Sequence, residues 1–190
     1  MRLFLAGSTG VIGTRLVPLL IKAGYDVAAM TRSPQKLADI AAAGATPVLC
    51  DIFDKSALEA AVQDFNPEVL IHQVTDLPDD IKEIAAYFKA NNRVRSEGTS
   101  NLLAAARLAG VSGFIAQSIA WPGGPIVDAH EASVLAAGGV VLKYGQFYGP
   151  STYYESDPPA DPKIHVDEAA KRTMQYILAP PGAYVIAETD

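Results

Sequence analysis

Short apolar runs alternate with stretches whose apolar residues recur every three or four positions, and the alternation continues along the whole chain. Arg2–Ala6 reads as a buried first strand. A helix follows over Val11–Ala23, with Ile12, Leu16, Leu19, Leu20 and Ala23 on one face. Pro18 lies inside it, lacks an N–H, and is expected to kink it or loosen one bond. Asp26–Thr31 is a second strand. Ser33 and Pro34 open a helix over Pro34–Ala43 that Gly44 stops. Thr46–Cys50 is a third strand, and Asp54 is expected to cap a helix running through Asp64. Val69–Gln73 is a fourth strand, followed by a helical pattern from Ile81 to Ala109 with a break near Asn91. Then come a strand at Phe114–Gln117, a short helix at Ala129–Ala137 and a strand at Val140–Lys143. A helix over Asp167–Leu178 and a strand over Tyr184–Ala187 end the series, and Tyr153–Pro162, rich in Pro and Asp, reads as irregular.

Strands separated by helices imply right-handed βαβ units. The expected fold class is α/β, a Rossmann-type doubly wound, mostly parallel sheet with helices on both faces. In such sheets ligands bind at the carboxyl ends of the strands, where the strand order reverses. The 190 residues, 49% of them hydrophobic, suit one domain around one core.

Charge and cysteine content narrow the chemistry. A net charge of −6 with no block of like charges argues against nucleic acid as partner. Cys50 is the only cysteine, and His72, His130 and His165 lie too far apart for a metal motif. The chain enters a glycine turn at Gly7, too early for a signal peptide, and no apolar run is long enough to span a bilayer. A soluble, cytoplasmic protein without metal or membrane partners is the expectation.

The segment Gly7-Ser-Thr9-Gly10-Val11-Ile12-Gly13 follows a strand and opens a helix, the context in which a glycine motif carries chemistry. Gly7 permits the sharp turn, Gly10 lets a pyrophosphate approach the backbone, and Gly13 lets helix pack closely on strand. Thr9, Val11 and Ile12 complete the loop, whose free N–H groups and helix dipole favour phosphate. A nicotinamide dinucleotide is the expected ligand. The second strand ends Met30-Thr31-Arg32-Ser33 without an acid, with Lys36 one turn further on. Arg32 then suits the 2′-phosphate of NADP(H) over NAD(H), the alternative being a solvated arginine in a polar turn. Asp51 follows the third strand, placed to accept the adenine amino group while Ile52 covers the ring.

Together with the glycine loop, several segments resemble the extended short-chain dehydrogenase/reductase superfamily of the NAD-dependent epimerase/dehydratase type. They are Asp51-Ile-Phe-Asp54, Leu70-Ile-His72-Gln, Glu97-Gly-Thr-Ser-Asn-Leu-Leu103, Ala116-Gln-Ser118, Leu142-Lys-Tyr-Gly145, Phe147-Tyr-Gly-Pro150 and Ile164-His-Val-Asp167-Glu-Ala-Ala170. The resemblance implies that Ser118 is the catalytic hydroxyl at the end of the fifth strand. It places Tyr148 beside the nicotinamide, and as the candidate replacement acid. It implies homodimers, and a C-terminal lobe reduced here to residues 151–190.

The family's Tyr and Lys, four residues apart, exchange the proton that accompanies hydride transfer. No Tyr here has a Lys four positions later. If Glu131 matches the family glutamate one turn after that Lys, the pair falls on Gly123 and Val127. Arg95 stands where the family has a helical Asn. His72 reads as a core histidine, and Asp167 as a dipole-complementing helix start. Trp121 lines a pocket or joins the core. The expected function is an atypical NADP(H)-dependent oxidoreductase or epimerase-like protein acting on a small organic substrate. The alternative is a non-catalytic dinucleotide sensor related to NmrA-like regulators.

Overall fold

The computed structural model describes residues 1–78 and 80–188. Its strands are β1 (Arg2–Ala6), β2 (Asp26–Thr31), β3 (Thr46–Leu49), β4 (Val69–His72), β5 (Gly113–Ile119), β6 (Val140–Tyr144), β7 (Gln146–Tyr148), β8 (Lys163–His165) and β9 (Gly182–Ile186). Its helices are α1 (Gly13–Lys22), α2 (Leu37–Ala42), α3 (Lys55–Phe65), α4 (Ile84–Arg93), α5 (Thr99–Leu108), α6 (Pro125–Ala136) and α7 (Val166–Thr173). The main sheet has the order β3-β2-β1-β4-β5-β6-β9 with every pairing parallel. This is the doubly wound Rossmann architecture that the alternating pattern predicts. The order reverses between β1 and β4, so the cleft opens over the end of β1.

Period-two alternation distributes the apolar side chains between two layers. Leu3 and Leu5 of β1 join Leu16 and Leu20 of α1 with Ala169 and Ala170 of α7. Phe4 and Ala6 face the other way, onto Leu58 and Val62 of α3 and Leu102 of α5. Both faces of β1 are therefore buried, and the glycine loop is held on a rigid base.

Several boundaries differ from the sequence reading. α1 starts at Gly13 because Val11 and Ile12 still belong to the turn, and it continues as one helix through Pro18. The second helix begins as a 3₁₀ turn at Pro34–Lys36. The helical stretch after β4 is interrupted by a π turn over Val94–Gly98, just beyond Asn91. α6 begins at Pro125, four residues before the expected Ala129: Gly124, at φ +76°, turns the chain, and Pro125 fits the first helical position. β7 and β8, three residues each, pair in a small second sheet and are too short to show a periodicity. Asp54 caps α3 as expected, its Oδ1 accepting from the Ala57 N–H at 3.1 Å. Among the described residues, no helix is long and apolar enough to cross a membrane.

Candidate active site

The glycine loop fills the reversal point. Gly7 adopts φ +86°, and a Cβ there would meet the Gln73 carbonyl carbon at 2.6 Å. A Cβ on Gly13 would strike Gly7 O, and the Ser8 carbonyl carbon at 2.6 Å. Both positions demand glycine because backbone presses on backbone. Gly10 is different: a Cβ would find only Gly7 O, at 3.6 Å, and the residue is exposed. The loop is closed beneath Gly7 and Gly13 and open above Gly10, which is the shape a pyrophosphate needs. Val11 is exposed, whereas Ile12 is buried in the α1 layer.

The loop is tied to β2. The Ser8 hydroxyl donates to Met30 O at 2.9 Å, and the Thr9 and Thr31 hydroxyls are 3.1 Å apart. Arg15 anchors the other side: its Nε bonds Asp167 Oδ1 at 2.6 Å and its Nη2 donates to Pro150 O at 2.6 Å. Arg32 stands at the end of β2 with its side chain 62% exposed. It is not a solitary cation, for its Nη2 lies 3.1 Å from Asp76 Oδ1, an acid from the loop after β4. Asp51 is exposed, and its Oδ1 accepts from the Phe53 N–H at 2.8 Å. Ile52 is 4% exposed and packs on Gly98.

At the end of β5 the structure assembles three side chains from three elements. The Ser118 hydroxyl donates to Glu131 Oε1 of α6 at 2.5 Å, and Lys143 Nζ of β6 donates to Glu131 Oε2 at 3.0 Å. Ser118 and Lys143 are register partners in the sheet, and Ser118 is 1% exposed. Glu131 and Lys143 were not singled out as functional from the sequence. Their convergence depends on the β5–β6 pairing, which no local signal reveals.

Gly123 and Val127, the positions the pair would take if Glu131 matches the family glutamate, pack on each other. A side chain on Gly123 would meet Val127 Cγ2 at 2.5 Å and Ile119 Cδ1 at 2.9 Å. Val127 is itself buried.

The remaining hydroxyls are committed. Tyr144 is buried, bonded to Thr173 Oγ1 at 2.6 Å and Gln73 Nε2 at 3.2 Å, and burial pushes its phenol up to about 12. The Tyr148 hydroxyl donates to Glu188 Oε1 at 2.7 Å, and this bond, with some desolvation, raises its pKa. Its ring stands edge-on to His165.

Behind β4 and β5 runs a buried polar chain. The Val74 N–H donates to His72 Nδ1 at 3.2 Å, so His72 carries its proton on Nε2 and gives it to Thr99 Oγ1 at 3.2 Å. His130 Nε2 lies 2.9 Å from Gln117 O, which can only accept, so its Nδ1 accepts from the Thr99 hydroxyl at 2.9 Å. Both rings are satisfied as neutral imidazoles, and His72 is a core histidine as its strand position suggests. Arg95 lies in the π turn, 6% exposed, with Nη1 lacking a hydrogen-bond partner among the described residues. Burial lowers its pKa against the opposing pull of the Glu131 carboxyl.

A parallel sheet reversing over a glycine loop defines a dinucleotide-binding domain of the Rossmann class. The profile of the NAD dependent epimerase/dehydratase family matches residues 3–154, and the chain belongs to that family. Among curated proteins it is similar to 3-diazoavenalumate denitrifying reductase of a Streptomyces species. The two are 37% identical over 188 residues, covering 83% of this chain and 60% of the relative. The chain thus spans about three fifths of that relative's length. A shorter match joins it to the decarboxylating sterol-4-alpha-carboxylate 3-dehydrogenase of Dictyostelium discoideum, 30% identical over 88 residues, 46% of this chain and 26% of that one. Among solved structures, UDP-glucose 4-epimerase of Thermus thermophilus, complexed with NAD, has a TM-score of 0.82 at 20% identity, covering 100% of this chain and 78% of its own. The Thermotoga maritima UDP-glucose 4-epimerase, with UDP-glucose, has a TM-score of 0.79 at 17% identity, covering 98% and 77%. These structural likenesses carry the fold.

Proposed function

We propose that the chain is an NAD(P)H-dependent reductase for small electrophiles that need a hydride but no proton from the protein, with NADP(H) favoured. The observation that carries this reading is that Gly123 and Val127, the positions of the family's Tyr and Lys if Glu131 matches the family glutamate, carry no acid or base and pack on each other. Gly7, Thr9, Gly10, Val11, Ile12 and Gly13 would hold the pyrophosphate, Asp51 the adenine end, and Arg32 a 2′-phosphate. When bound, the reduced nicotinamide supplies the hydride.

The two hydroxyls nearest in role to the family's site, Ser118 and Tyr148, each give their proton to a carboxylate, Glu131 and Glu188. What either can offer a substrate is oxygen lone pairs, which suit an electron-poor or cationic group. A diazo substrate, of the kind named for the Streptomyces relative, fits this demand. An arenediazonium cation takes one hydride, releases N₂ and leaves an arene, and the balance includes no proton. A ketone, by contrast, requires one for its alkoxide, and a positioned acid supplies about 10²–10⁴ in rate.

The test is stopped-flow oxidation of NADPH with a benzenediazonium salt and with a panel of ketones and aldehydes, each against a protein-free control. The expected result is protein-dependent oxidation with the diazonium salt and about a hundredfold less, or none, with the carbonyls. Protein-dependent reduction of the ketones as fast as that of the diazonium salt would overturn the reading.

The near-complete burial of Ser118 favours a second reading, a dinucleotide sensor. That reading expects NADPH to raise the melting temperature while every substrate leaves the nicotinamide absorbance unchanged. For partners, we propose a small molecule and the dinucleotide. A homodimer would draw on exposed apolar residues of the helices, Phe88 of α4, Leu108 of α5, and Ile126 and Leu135 of α6.

A further inference from the structure

The family's usual cofactor-selecting acid is missing from the end of β2, yet an acid reaches the same place from elsewhere. β2 and β4 are the two neighbours of β1, and the glycine loop rises between them. Arg32 after β2 and Asp76 after β4 meet at 3.1 Å. The two partners are not equally free. The Asp76 side chain is 20% exposed against 62% for Arg32, and the Asp76 N–H is bonded to Asn91 Oδ1 of α4 at 3.1 Å. Asp76 is the fixed member and Arg32 the arm that can swing.

We infer that Asp76 is a specificity-determining residue for the dinucleotide, acting as the acid that β2 lacks. The inference rests on the proposed contact between Arg32 and a 2′-phosphate. A carboxylate accepts hydrogen bonds from the ribose hydroxyls of NAD(H) and repels a 2′-phosphate, while a guanidinium does the reverse. Both groups are present and paired, so a 2′-phosphate that binds Arg32 must either share the guanidinium with the Asp76 carboxylate or displace it, and in both cases sits near that negative charge. NADH meets no such opposition. Asp76 therefore holds down the preference that Arg32 alone would produce, and the chain should accept both cofactors with a moderated bias toward NADP(H).

The experiment is fluorescence titration of NADPH and NADH, with 2′,5′-ADP by calorimetry, on wild type, Asp76→Asn, Asp76→Ser and Arg32→Ala. Melting curves check that each variant folds. Both Asp76 variants should bind NADPH and 2′,5′-ADP about tenfold more tightly and NADH severalfold more weakly. Arg32→Ala should weaken NADPH selectively, by about ten- to a hundredfold. Unchanged NADPH and NADH affinities in both folded Asp76 variants, or equal changes for the two, would overturn the role of Asp76. Equal losses of both cofactors in Arg32→Ala would instead overturn the 2′-phosphate contact, and the NADH arm would still decide whether Asp76 reads the ribose.

Discussion

Gly10→Val is expected to abolish dinucleotide binding while leaving the fold intact, and Gly13→Val to damage the fold itself. At Gly10 a Cβ meets only Gly7 O, at 3.6 Å, an ordinary van der Waals distance, and the backbone is not in the left-handed region. The added methyls project into open space, which is where the loop must let a pyrophosphate approach. Loss of that approach should weaken NADPH by at least about a hundredfold, or about 2.7 kcal/mol. The melting temperature without ligand should hardly move. At Gly13 the Cβ would strike Gly7 O and the Ser8 backbone at 2.6 Å, and no flexible side chain is there to yield. Overpacking of this kind costs about 1–3 kcal/mol or more, because α1 must lift from the turn. Thermal melts with NADPH titration separate the cases. Wild-type NADPH affinity in Gly10→Val would contradict the placement of the pyrophosphate, and an unshifted melting temperature in Gly13→Val would contradict the close packing of α1.

Acidification should unfold the protein through its buried histidines. Burial, chiefly, with help from the neighbouring His130 and Arg95, pushes His72 down to about 3 from 6.5. His130 is lowered as well, again mainly by burial. At His72 the hydrogen bonds give the same direction, since a proton on Nδ1 would face the Val74 N–H. The unfolded chain binds protons at these rings below pH 6.5 and the folded chain does not. Stability is therefore full above 6.5 and falls as pH drops toward 3, by roughly 4–5 kcal/mol from His72 alone, given the shift to about 3. Between pH 6.5 and 5, where ordinary carboxylates stay charged, the slope should approach about 1.4 kcal/mol per pH unit for His72, and more with His130. Urea titrations across this window measure it. His72→Asn should be less stable at pH 7 but show a flatter profile. A ring titration of His72 by NMR near the ordinary histidine value would refute the argument.

The architecture was legible because it depends on local periodicity. Buried parallel strands write continuous apolar runs, and α1 and α3 write an amphipathic repeat, so the order of the main elements could be read directly. The glycine spacing was legible for a similar reason: turn, approach and packing lie within seven consecutive residues, from Gly7 to Gly13. Asp54 as a helix cap belongs to the same group, since it bonds Ala57 three residues away. The start of α6 was missed although Gly124-Pro125 announced it, because its apolar residues do not fall on one clear face.

What the sequence by itself determined is the fold class and the place of the dinucleotide loop, since both rest on contacts between near neighbours in the chain. Only the tertiary structure decided how the functional side chains are paired. Arg32 meets Asp76 forty-four residues on, Ser118 and Lys143 meet on Glu131 through sheet register, and Tyr148 meets Glu188 forty residues away. Ile52 turns inward for the same reason, packing against Gly98 of a distant π turn. Charge and hydrogen bonding act through space, and spatial neighbours become known only when the sheet order and register bring separate strand ends together.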